Sequence, residues 1–225
     1  MLQYSKIKII FLLSTFLLLI YTWGIDIILG AELLQSWSDF HYVILINVLK
    51  FLVGLGALWI LWHFGNREVF QFRFKWSYVG YFFLFLMAHL AWSIFTFLYF
   101  PKTMNQVAIN SNYVLSDQIT LYVEMFGLIV ISPFVEEMIF RGVLMEAFSP
   151  WKKVYIDVLA SSALFSVIHV MYDGWVLTDF IYYFVPGILI ALYFRKNNCI
   201  YYVLVYHIFW NSLPEIIRLL RYIVG

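Results

Sequence analysis

The 225-residue chain is 64% hydrophobic, 22% aromatic and only 12% charged, with a formal net charge of +1. A soluble domain carries about a quarter charged residues, so the composition excludes one and makes the bilayer the solvent. The near-neutral balance, with no basic stripe interleaved with aromatics, gives no basis for binding nucleic acid, and a single cysteine, Cys199, leaves neither an intramolecular disulfide nor a Cys/His zinc pattern.

Apolar stretches of about 17 to 25 residues read as spanning helices. The first, 7–29, starts among the basic residues Lys6 and Lys8 as a signal peptide would. It is too long for a signal h-region and no small-residue cleavage site follows, so a retained helix is expected. Further spans are expected near 41–64 and 77–100, then a long polar loop at 101–118, then spans near 119–141, 156–173, 178–194 and 200–217. Many Tyr and Trp residues stand at the ends of these runs, where an amphipathic ring sits at the headgroup level. The fold class is therefore all-α, a polytopic transmembrane bundle of about seven helices. With short connections and no repeat, 1–225 reads as one membrane domain.

Lys and Arg bias sets orientation. Lys6 and Lys8, then Arg67, Arg73 and Lys75, then Lys152 and Lys153, then Arg195 and Lys196 fall on alternate connections, and Glu32, Asp39, Asp117, Asp173 and Asp179 on those between. The protein is expected to be integral and multi-pass, in the plasma membrane if bacterial, with a cytoplasmic N-terminus. An odd helix count puts Arg218 and Arg221 on the far side, against the rule. The alternative is that 215–225 breaks away at Pro214 and lies along the interface.

An ionisable side chain at mid-membrane costs about 2.5–3.5 kcal/mol on insertion scales, so one retained in an apolar helix is a functional candidate. In ISPFVEEMIFRG, Glu136 and Glu137 are adjacent and Arg141 is one turn on. Glu137 and Arg141 stand at i and i+4 with the acid first, the favourable order for an ion pair, and Glu136 points about 100° away. Arg141 can thus neutralise one carboxylate while the other stays available as a general base. The plainer reading is an ion pair marking a helix end. SSALFSVIHVMYD carries His169 one turn after Phe165, and YYVLVYHIFWNSLP carries His207 one turn before Asn211. A lone His in an apolar helix is more often a packed residue, which is the reading for His41, His63 and His89; Asn211 alone would serve equally as interhelical glue.

Together, EExxxR, FxxxH and HxxxN in this order resemble the CPBP family (CAAX protease, bacteriocin-processing or Abi proteins). The resemblance covers roughly 119–213, which it marks as a CPBP/Abi-type catalytic core, with 1–118 as N-terminal helices. It implies an intramembrane endopeptidase in which Glu136 and His169 activate the attacking water, His207 and Asn211 stabilise the tetrahedral intermediate, and Glu137 and Arg141 complete the motif. The chemistry of amide hydrolysis is consistent with those roles, since it needs a base for water, donors for the oxyanion and an acid for the leaving amine.

No HExxH is present, and Ser132, Ser161, Ser162 and Ser166 are better explained as small residues at helix contacts than as nucleophiles. No cofactor is expected. The alternative is zinc held by Glu136, His169 and His207, a known type of ligand set, but outer-ring acceptors for the imidazoles are wanting on their own helices apart from Asp173 and Glu215. The expected partners are the lipid bilayer and a membrane peptide or protein substrate. Two rival functions are a catalytically silent immunity or peptide-binding protein using the same cavity, and a proton-coupled transporter, which lacks the internal repeat such folds show. Depth adds one difficulty. Glu136 and His207 come out at similar depths, whereas His169 lies too deep for a helix starting near 156, unless that helix enters later, tilts, or follows an interfacial segment.

Overall fold

The computed structural model describes residues 2–25, 27, 30, 37–115, 117–171 and 174–224, with side chains from residue 6 onward except 112–115, 218, 219 and 221–224. No strand occurs among them. Helix α1 (Leu2–Leu19) runs on into a π-helical turn, Ile20–Gly24, and α2 spans Asp39–His63 and α3 Trp76–Tyr99. The stretch expected to be a polar loop instead holds a helix, α4 (Met104–Leu115). Helix α5 (Gln118–Ala147) is followed by α6 (Ile156–Val170), α7 (Leu177–Asn197) and α8 (Ile200–Val224).

Among the described residues, five helices are long and apolar enough to cross a membrane: α1 over Lys6–Gly24, α2, α3, α5 and α7. Helix α6 has 15 residues, about 22 Å at 1.5 Å per residue, short of a hydrocarbon core of about 30 Å. Helix α8 has 25 residues and continues through Pro214 to Val224, so the break weighed for 215–225 does not occur before Val224. Gly225 and the side chains of Arg218 and Arg221 lie outside the described residues.

Helix α5 is the axis, packed on α1, α2, α6 and α8, while α7 packs on α6 and α3. Its Val135, Ile139, Phe140 and Val143 are fully buried among Ala57, Leu61, Ile190 and Tyr206. Lipid tails are as apolar as these side chains, so association rests on close packing and interhelical hydrogen bonds. Gly187 allows such an approach: a Cβ there would stand 3.2 Å from the Ser162 Cα. Pro186 supplies a hydrogen bond of the second kind. Lacking an N–H, it leaves the Tyr182 carbonyl without its helical donor, and Trp92 Nε1 donates to that oxygen at 3.1 Å.

The basic connections gather at one end of the bundle. Arg195 contacts Asp157 at 3.3 Å and donates to the Lys152 carbonyl, Tyr202 donates to the Arg73 carbonyl, and Phe11, midway along α1, meets Phe148. Asp117 and Asp179 cap helices at the other end. Asp117 accepts from Ile119 N and Thr120 N at the start of α5. Asp179 accepts from Met104 N at the start of α4.

Candidate active site

Helix α5 leaves the α-helical register twice, as π-helix over Gly127–Ile131 and again over Glu137–Leu144. Such segments are widened, expose unpaired carbonyls and recur at functional sites. Glu136 ends the short α-helical piece between them and Glu137 opens the second π-segment. Both are buried, but only Glu136 lines a half-open cavity of about 980 Å³ bordered by α1 to α8. Glu137 points away into the packing, where Arg141 Nη1 lies 3.1 Å from its Oε1 with both side chains fully buried. Arg141 also donates to the Gly187 carbonyl and stands over the Phe165 ring at 4.7 Å. The adjacent acids therefore occupy different surroundings, one facing a chamber and one held by a cation.

His169, in the last turn of α6, lines the same cavity. Its Nδ1 is 2.8 Å from the Phe165 carbonyl. A carbonyl only accepts, so Nδ1 carries the proton and Nε2 of the neutral ring is left as an acceptor. The ring is stacked on Tyr183 of α7 at 4.4 Å. Tyr183 is held in turn by Thr103 and Asn105, at 3.1 and 3.0 Å from its hydroxyl. Helix α6 does start at Ile156, and His169 stands 13 residues further on, near its end. An exposed 3₁₀ turn, Ser149–Val154, followed by left-handed Tyr155, leads into it.

His207 of α8 sits between the two acids, its Nδ1 2.7 Å from Glu137 Oε1 and its Nε2 3.7 Å from Glu136 Oε2. The first is a hydrogen bond and the second is a charge contact too long for one. Asn211, one turn on, donates from Nδ2 to the Leu128 carbonyl at 3.1 Å. That carbonyl is open for a local reason: the Ser132 N–H reaches back to Gly127 O in the π register, and Pro133, next in line, has no N–H. The second N–H of the amide is not used by this bond, and Asn211 also lines the cavity.

The structure thus brings the six residues singled out from the sequence together on three helices, with Glu136, His169, His207 and Asn211 on the chamber wall and Glu137 and Arg141 packed behind it. It also places there three residues that the sequence reading passed over or set aside: Tyr21, Tyr183 and His89. Tyr21 donates to Glu136 Oε1 at 3.4 Å. His89, read as a packing residue, is buried and stacked on Trp210 at 3.6 Å, with Nδ1 3.1 Å from the Tyr206 hydroxyl, and it also lines the cavity. No sequence spacing marks these three, because their partners lie far away in the chain. His41 and His63 pair locally with Ser38 and the Trp59 carbonyl. Ser161 and Ser166 donate to the Phe140 and Phe180 carbonyls, and Ser162 to Val158 within its own helix.

The zinc alternative meets a geometric mismatch at two of its three ligands. Two ligands each about 2 Å from one tetrahedral ion stand about 3.3 Å apart, less than the 3.7 Å between His207 Nε2 and Glu136 Oε2. Among the described residues no three His, Cys, Asp or Glu side chains are grouped to hold an ion. One premise of the sequence argument against zinc is corrected: His207 does have an outer acceptor, Glu137, contributed by α5 and not by its own helix. Asp173, the candidate acceptor for His169, lies outside the described residues.

Fold and site together define a helical membrane protein with a buried acid–base cluster facing a chamber in the bundle. Residues 118–213 match the family model of Rce1-like type II CAAX prenyl endopeptidases, and all three motifs fall inside the match. At family level the match supports a CAAX-protease-type endopeptidase domain in a chain whose long apolar helices suit a membrane. No curated protein and no solved structure matches the chain.

Proposed function

We propose that the chain hydrolyses a peptide bond in a membrane-associated peptide or protein, with Glu136 as the base for water and without a metal. The observation that carries this is the division between the acids: Glu136 lines the chamber while Glu137 is engaged by Arg141 and His207. Water held between the Glu136 carboxylate and His169 Nε2 attacks the carbonyl carbon and its proton passes to Glu136. The carbonyl oxygen becomes an oxyanion, which the second Asn211 N–H and His207 Nε2–H stabilise. That role requires a proton on each ring nitrogen of His207, since its Nδ1 faces Glu137. Collapse of the intermediate breaks the C–N bond, and the proton on Glu136 goes to the departing amine. One new carboxylic acid and one new amine result.

The basic end of the bundle carries the connections 64–75, 148–155 and 198–199, and by the positive-inside rule it faces the cytoplasm. Glu136 lies about 16 Å from Ala147 and about 27 Å from Gln118 along α5, so the proposed cleavage falls nearer the basic end. The test compares the membrane peptides that accumulate in wild type and in a Glu136→Ala strain. Peptides confined to the variant, with one defined terminus missing, are expected. Identical peptide profiles, with the variant protein normally inserted, would return the chain to the silent, peptide-binding reading.

A further inference from the structure

The Rce1-like match begins at residue 118, so it assigns no role to the N-terminal helices. Yet the chamber wall includes α1, through Tyr21, Thr22 and Ile25. Tyr21 sits in the π-helical turn Ile20–Gly24, the one departure from α-helix in α1 among the described residues. In that turn the Thr22 hydroxyl bonds back to the Leu18 carbonyl within its own helix. The Tyr21 hydroxyl instead reaches across the bundle to Glu136 Oε1, 3.4 Å away.

Glu136 is thereby approached from both sides. Tyr21 is on one oxygen, and His207 Nε2 is 3.7 Å from the other. A carboxylate on a rotatable side chain needs two such contacts to fix its plane, and a general base must hold its lone pair within about 0.5 Å of a productive position. His207 cannot supply the second contact alone, because its Nδ1 is committed to Glu137 and its Nε2 stands beyond hydrogen-bond length.

We infer that Tyr21 is a positioning residue for the Glu136 carboxylate, so that α1 completes the site whose motifs lie on α5, α6 and α8. This rests on the proposed role of Glu136 as base, and the two are tested apart. The first measurement needs no substrate. In purified protein in lipid nanodiscs, the infrared carboxylate stretch that vanishes in Glu136→Gln is followed in Tyr21→Phe, which keeps the ring and removes only the donor. The band is expected to shift, whereas Thr22→Val, which removes a hydroxyl from the same turn, should leave it in place. If Tyr21→Phe inserts poorly, 3-fluorotyrosine at position 21, a stronger donor, should shift the band in the opposite direction to that expected for loss of the donor. An unmoved band in both folded forms overturns the inference, whatever the protein cleaves.

The second measurement is turnover of the peptide that accumulates in the Glu136→Ala strain. Loss of one charge-assisted contact is expected to lower kcat about tenfold with KM within about twofold. If KM alone rises, Tyr21 is a substrate contact and not a positioning residue. If no peptide accumulates in the Glu136→Ala strain, the hydrolytic reading fails while the infrared result stands on its own.

Discussion

At the scale of single residues, the site turns on the unlike surroundings of two adjacent carboxylates. Glu136→Gln is expected to abolish cleavage while insertion stays normal, since the helix loses a base and keeps its shape; wild-type turnover by that variant would remove Glu136 from the mechanism. Glu137 and Arg141 behave differently because both are fully buried and paired. Removing either alone leaves an uncompensated charge, at about 3–5 kcal/mol. Glu137→Ala and Arg141→Ala should each lower the thermal midpoint and yield, and replacing both by Leu and Met should recover most of that stability without restoring activity. Equal losses in the single and double variants, measured by thermal unfolding in detergent, would show that the two charges are not coupled. Chelation tests the remaining point: activity should survive exhaustive chelator treatment, with metal content well below one equivalent. Stoichiometric zinc whose removal stops turnover and whose return restores it would move Glu136, His169 and His207 into ligand roles.

At the scale of elements, α5 shows how an irregularity in one helix opens a contact for another. The π register at Gly127–Ile131 and the missing N–H of Pro133 together open the Leu128 carbonyl to Asn211. Pro133→Ala restores a donor next to that carbonyl. The variant should fold at least as stably, because a helical hydrogen bond is regained, yet turn over more slowly as Asn211 loses its anchor. Unchanged kcat would separate Asn211 from the chemistry. At its other end α5 starts on Asp117, where the Thr120 hydroxyl and the Thr120 and Ile119 amides hold the carboxyl below its ordinary range. A depressed folded-state value means stability that is present above the unfolded-state value and lost as pH falls through the folded one. Asp117→Ala should therefore lower the thermal midpoint at neutral pH, and the gap from wild type should close on acidification below the carboxylate range. A gap independent of pH would mean that the cap acts by shape and not by charge.

At the scale of the whole molecule, the gathering of basic connections at one end sets the orientation. In a Cys199→Ser background, single cysteines near Arg73 and Lys152 should label only from the cytoplasm, and one near Asn110 only from outside. Helix α8 begins at the basic end and runs about 37 Å at 1.5 Å per residue. A cysteine at Gly225 should then label with Asn110. Opposite sidedness at Arg73 and Lys152 would move the proposed cleavage to the other half of the bilayer.

Composition alone determined that the chain lives in a bilayer. Within it every backbone group must be satisfied inside its own segment, so long apolar runs have almost no alternative to helix. The three short motifs were legible for a related reason: an ionisable group is costly there, and the few that occur stand out at helical spacing. What the sequence did not disclose depends on contacts between distant segments. The helix at Met104–Leu115 looked like a loop because its sequence is polar, and it is held by Asp179 and Tyr183, roughly 75–80 residues further along the chain. The end of α6, where His169 reaches the cavity wall, and the acceptor that Glu137 supplies to His207 are likewise set by packing between helices. The same holds for Tyr21. A tyrosine near the end of an apolar run reads as an interfacial anchor, and only the docking of α1 against α5 turns its hydroxyl toward Glu136.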